Sequence, residues 1–176
     1  MPQTTYPFDP VIAIPGMVVD RTPGGQRGRY ECSEDLPAGR IAEYNSGTLR
    51  LPQSAAPKFL GAVPYNSSLP AGGYKAGEHM VPALRRGLIW LEYQGTAPSP
   101  EEPVNIMHST ETATHRGKVT GDAPSESTGA EITAIGGIVC VKVDTTLKLA
   151  LCEINLPAGL TGPQGPQGEE GPPGGG

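Results

Sequence analysis

The last eighteen residues constrain this chain more than any other stretch: Gly159 to Gly176 read GLT GPQ GPQ GEE GPP GGG, with glycine opening each of six triplets. Three polyproline-type chains wound together leave room only for glycine at their common axis. Strict phase at Gly159, Gly162, Gly165, Gly168, Gly171 and Gly174 therefore predicts a collagen-like triple helix. Pro163, Pro166, Pro172 and Pro173 fall off the glycine positions, where a φ held at about −65° pre-sets the extended left-handed conformation. So short a triple helix is marginal by itself, so a body upstream has to hold three chains in register, and a homotrimer is expected. The alternative for this composition is a flexible Gly/Pro tail.

The residues before the repeat suit short strands and many turns. They hold 17 of the 25 glycines and 16 of the 20 prolines, spread so evenly that no proline-free run carries a helical period. The expected fold class is all-β. A compact barrel- or sandwich-like head at 11–156 follows an extended N-terminal arm at 1–10 and precedes the collagen-like, polyproline II tail at 157–176. Pro2, Pro7 and Pro10 exclude the arm from a sheet interior. Tyr6 and Phe8 between them suit a groove on a partner, which makes them candidate contact residues; a frayed terminus is the plain alternative.

Strands are expected near 29–32, 40–44, 48–51, 58–65, 79–84 and 88–93, with weaker ones at 104–108, 117–119 and 131–135, and a tight turn at Asn45, Ser46 and Gly47. In 88–93, Ile89, Leu91 and Tyr93 share one face and Leu88, Trp90 and Glu92 the other, so both faces are expected to be covered. The clearest pattern comes last. Val139, Val141 and Val143 alternate with Cys140, Lys142 and Asp144, and Leu147, Leu149 and Leu151 alternate with Lys148, Ala150 and Cys152. This predicts a β-hairpin whose Val/Leu face enters the core, at about 1.5–3 kcal/mol per buried side chain. The Ser/Thr-rich stretch at 109–129 reads as an excursion from the sheet.

Charge and motifs exclude several functions. The net charge is −5, and Arg85 with Arg86 is the only adjacent basic pair, so nothing resembles a polyanion-binding surface and no nucleic-acid partner is expected. Cys32, Cys140 and Cys152 are odd in number and never spaced C-x-x-C, which suggests neither a disulfide framework nor zinc; Cys140 and Cys152 in apolar runs read as small buried hydrophobes. His79, His108 and His115 have no paired ligand spacing, so no metal site is expected, and they read as surface or hydrogen-bonded histidines. No phosphate loop or nucleophile elbow occurs, and Glu101 and Glu102 lie in a proline-flanked loop where both are solvated. No catalytic residue, cofactor or enzymatic activity is expected. The start MPQTTYPFDP is no signal sequence, and no apolar run approaches the about eighteen residues of a membrane span. Synthesis in a reducing cytoplasm without a membrane partner follows.

An ordered series of short segments resembles the structural cement, or capsid decoration, proteins of tailed bacteriophages. It runs through Pro15-Gly16-Met17-Val18-Val19-Asp20, Leu36-Pro37-Ala38-Gly39-Arg40, Phe59-Leu60-Gly61-Ala62-Val63 and Tyr74-Lys75-Ala76-Gly77-Glu78. It continues in Leu84-Arg85-Arg86-Gly87-Leu88-Ile89-Trp90-Leu91-Glu92 and the hairpin at 138–154. The resemblance implies a β-rich trimer on the outer surface of the mature virion head that clamps neighbouring copies of the major capsid protein, with no catalytic residues to transfer. The collagen-like tail is an addition to that pattern. A trimeric collagen-stalked fibre or adhesin binding a host-surface receptor is the alternative.

Overall fold

The computed structural model describes residues 13–20, 27–54, 56–57, 60–69, 72–78, 80–108, 114–125 and 131–156. The arm with Tyr6 and Phe8, and the repeat with Gly159, Gly162, Gly165, Gly168, Gly171 and Gly174, lie outside them. Among the described residues the chain forms strands β1 (Val18–Asp20), β2 (Arg27–Cys32), β3 (Ile41–Asn45), β4 (Thr48–Arg50), β5 (Leu60–Ala62), β6 (Met80–Leu84), β7 (Arg86–Glu92), β8 (Pro103–Met107), β9 (Val119–Thr120), β10 (Ile132–Asp144) and β11 (Leu149–Asn155). No α-helix occurs among them, as the even scatter of proline requires.

Two layers result. β2, β4, β3, β5 and β6 close into a small barrel, while β1, β7, β11, β10, β8 and β9 pair in that order as a six-stranded sheet. Turn chemistry sets the first hairpin: Ser46 and Gly47 both adopt positive φ (50° and 98°), the reversal whose twist matches two antiparallel strands. Five strands enclose little space, and the barrel interior is correspondingly lined by small side chains such as Cys32, Ala42 and Ala83 beside Leu36, Leu49, Val63, Tyr74 and Val81. At Gly61 an added Cβ would sit 2.9 Å from Ala83 Cβ, so β5 and β6 lie this close only because residue 61 has no side chain.

Strand alternation builds the second core. In β3, Ala42 faces into the barrel while Ile41 faces the sheet; in β6, Val81 and Ala83 face in while Leu84 faces the sheet. Ile41, Ala62 and Leu84 meet Ile89, Leu91, Val104, Ile106, Val119, Ile138, Cys140, Ala150, Cys152 and Ile154 on the sheet's inner face. The opposite face carries Trp90 and Leu149 under Ala13, with Met17 and Leu151 alongside. The two faces read for 88–93 are thus both covered.

The final hairpin forms, but with the opposite face inward from the one its pattern suggests. Val139, Val141 and Leu147 are 37 %, 45 % and 51 % exposed, whereas Cys140 and Cys152 are fully buried. Periodicity identifies two faces without saying which one the barrel covers, and here the second face also contains Ile138, Ala150 and Ile154. A bulge between Cys140 and Lys142 then re-phases β10, so that Val143, opposite Ala150, packs on the inner core. Leu147 belongs to the turn, where its N–H and that of Thr146 both donate to Asp144 Oδ1 at 3.0 Å.

Two other expectations change. The weak strand at 131–135 is the first part of the long β10. Within the Ser/Thr-rich stretch, Arg116 to Thr120 are built into the sheet, with Val119 and Thr120 fully buried.

Candidate interaction surfaces and the seam that positions them

The barrel meets the sheet along a seam of backbone hydrogen bonds centred on two glycines. Gly16 donates to Trp90 O (2.7 Å) and accepts from Tyr65 N (2.8 Å); Gly39 donates to Val63 O (2.9 Å) and accepts from Glu92 N (2.9 Å). A Cβ on Gly16 would lie 2.6 Å from Tyr65 N and 2.8 Å from Gly39 N, and one on Gly39 would lie 2.8 Å from Pro15 Cβ. Both glycines have φ near +78° (77° and 78°), a conformation costly for any residue with a side chain. Pro15-Gly16 and Ala38-Gly39, far apart in sequence, are therefore one structural knot. Tyr65 is part of it, its ring lying so close to Gly72 that a side chain there would run into it.

Beside the knot runs an internal charge network. Arg40 Nε contacts Glu92 Oε2 at 2.7 Å, with Lys118 Nζ 3.6 Å from the same oxygen. Arg40 Nη1 donates to Arg116 O at 2.9 Å, and Arg116 grips Glu34 through both nitrogens at 3.1 and 2.7 Å. Glu34 in turn accepts from Leu51 N at 2.7 Å. Burial pulls the Lys118 ammonium down, Arg40 adding to the effect and Glu92 opposing it. The bidentate Arg116–Glu34 pair and the partly buried single contacts to Glu92 fix orientation between barrel and sheet. A further pair, buried Glu43 Oε1 with half-buried Arg50 Nε at 2.7 Å, sits directly across β3 and β4.

The outer face of the sheet mixes exposed valines with charged residues such as Lys142 and Glu153. On the outer face of the sheet, Trp90 lies opposite Leu151 and Leu151 opposite Lys142, next to exposed Val141. Ala13, the first described residue, packs on Trp90 and Leu149. Trp90 Nε1 is buried there with no hydrogen-bond partner among the described residues. A cleft of about 330 Å³ lined by Met17, Val18, Pro64, Tyr65, Asn66, Tyr74 and Pro82 opens on the other side of β1, with Tyr65 40 % exposed.

Among the described residues no group of three His, Cys, Asp or Glu side chains is placed to hold a metal. His108 is buried rather than at the surface, its Nδ1 3.4 Å from Glu131 Oε2. Of the residues read as sites from sequence, none lies within the described residues. The glycine knot and the Arg40–Glu92 network were missed, although both sit in segments that carry the family resemblance.

The body is thus a small barrel packed on a six-stranded sheet, with paired charges along the seam and a few exposed apolar side chains on its surface. The family model described as "Structural cement protein (E217 gp24/Pam3 gp6)" matches residues 2–156, and the chain belongs to this family of phage structural proteins. A chain from "The capsid of Myoviridae Phage XM1" has the same fold, with a TM-score of 0.66 at 21 % identity over 80 % of this chain and 89 % of that one. No curated protein matches.

Proposed function

We propose that the protein binds the outer surface of the mature phage head as a trimer, bridges neighbouring major capsid subunits and projects its collagen-like tail outward. The observation that carries this reading is the family match, which spans 2–156 and stops where the glycine repeat is about to begin. The body is then the capsid-binding part and the repeat a passenger on it. Bridging stabilises a shell by adding interface to the assembled state alone. The contact surface we assign is the outer face of the sheet with Val139, Val141 and Leu147, together with the arm that joins it at Ala13; Tyr6 and Phe8 extend each protomer's reach onto a neighbour.

A cement protein is present in hundreds of copies per particle, on the order of the number of capsid subunits it bridges. Gel densitometry of purified particles tests this, and a band at trace level would overturn it in favour of the fibre or adhesin that the glycine repeat alone would suit. Replacing Gly165 and Gly168 with alanine is expected to abolish collagen-type circular dichroism while leaving a trimeric mass in sedimentation. Loss of the trimer would make the tail its driver.

A further inference from the structure

Cys140 and Cys152 are directly opposed on the two central antiparallel strands of the sheet. Main-chain hydrogen bonds reveal which kind of pair they form. The Cys140 N–H donates to Glu102 O at 3.0 Å and its C=O accepts from Glu101 N at 2.7 Å, so both groups point away from β11. On the far side, the Trp90 N–H donates to Met17 O and its C=O accepts from Gly16 N, which turns Trp90 toward β1 and its neighbour Ile89 toward β11. Ile89 lies opposite Cys152, so the main-chain groups of Cys152 point to β7. The two cysteines thus form a non-hydrogen-bonded pair, the kind with Cα atoms about 4.5 Å apart rather than about 5.5 Å and with side chains in closest approach. A disulfide spans Cα separations of about 4.4–6.8 Å.

Both thiols are fully buried on the inner face, directly across the strand pair from each other. Interaction between the two side chains holds the Cys140 thiol below its ordinary value and pushes the Cys152 thiol up, with burial adding to the rise at Cys152. Cys140 Sγ lies 3.9 Å from the Pro98 carbonyl oxygen and 3.8 Å from that of Lys142. Cys32 packs in the separate barrel core, with its sulfur 3.1 Å from Lys75 O.

We propose that Cys140 and Cys152 are an oxidation site, a dithiol that a small peroxide converts into a cross-strand disulfide closing the β10–β11 hairpin. The Cys140 thiolate attacks one oxygen of hydrogen peroxide, the O–O bond breaks, and the departing hydroxide takes up the proton Cys140 released, leaving Cys140 as a sulfenic acid. The Cys152 sulfur then gives up its proton and attacks the Cys140 sulfur. The S–S bond forms, the S–O bond breaks, and the second hydroxide leaves as water with that proton. Two thiols and one peroxide give one disulfide and two waters. The oxidant's small size suits a pair that no larger reagent reaches in the folded sheet.

The test treats the folded full-length protein with hydrogen peroxide, unfolds it in iodoacetamide without reductant, and weighs and maps it. The expected product carries one alkylated cysteine, Cys32, and a linked pair of peptides containing Cys140 and Cys152. Three alkylated cysteines, a link through Cys32, or sulfinic and sulfonic products without a link would overturn the proposal. The bond is also expected to raise the melting temperature by roughly 5–10 °C, because it closes a short hairpin loop. The rise should reverse with dithiothreitol and be absent in Cys152→Ala. An unchanged or lowered melting temperature in a linked product would refute the claim that the native strand pair accommodates the bond.

Discussion

Alanine at position 16 offers the sharpest test of the seam between barrel and sheet. Gly16 has φ +77°, and an added Cβ would lie 2.6, 2.8 and 2.9 Å from Tyr65 N, Gly39 N and Ala38 Cβ. Two of these atoms are main chain, and both donate in the seam, Tyr65 N to Gly16 O and Gly39 N to Val63 O, so they move only by breaking the knot. Gly77 is a matched control: its φ is +68°, and nothing lies within 4 Å of the position its Cβ would take. Gly77→Ala is expected to cost only the left-handed conformation, about 1–2 kcal/mol. Gly16→Ala adds overpacking of about 1–3 kcal/mol, for a loss of roughly 2–5 kcal/mol in all. Guanidinium denaturation of both variants beside the parent measures the difference. Equal losses would show that the close approach carries no energy and that the seam relaxes freely, which would refute the reasoning.

Arg40→Ala leaves the Arg116 carbonyl without its donor and Glu92 with Lys118 alone, 3.6 Å away, and a loss of about 1–3 kcal/mol in denaturant titrations is expected. Val139→Ser with Val141→Ser, at side chains 37 % and 45 % exposed, is expected to shift stability by less than about 1 kcal/mol yet to lower occupancy on purified particles; unchanged occupancy would remove this face from the capsid contact. Asp122 is held below the usual carboxylate range by Thr96, with Thr120 adding a further hydrogen bond. Because its folded value is the lower one, its contribution is complete above the unfolded carboxylate pKa of about 3.9 and fades as the pH falls through the folded value. Asp122→Asn should therefore lose less stability between about pH 5 and pH 2 than the parent does in thermal melts.

Much of the body was legible because its signals are local. Even spacing of proline excludes helices, alternation marks strands, and Asn45-Ser46-Gly47 marks the reversal that Ser46 and Gly47 make with positive φ. Trp90 and Ile89 fall on the two faces their alternation assigns. What the chain order cannot express is contact between distant segments. Gly16 reads as a turn residue, and only its fit against Gly39 and Tyr65 explains why no side chain is accepted there. Arg40 and Glu92, paired across the seam, carry no shared local signal.

The amino-acid sequence by itself determined the all-β class and the family resemblance, because each rests on composition or ordered short segments. The tertiary structure decided which face of each strand is inside. In the last hairpin both faces are apolar, and period 2 is blind to which of them a neighbour covers. The barrel, meeting the sheet through Ile41, Ala62 and Leu84, covers the face of Cys140, Ala150 and Cys152 and leaves Val139 and Val141 to the outside. That single choice of face brings two thiols together in the core and leaves a valine pair at the surface.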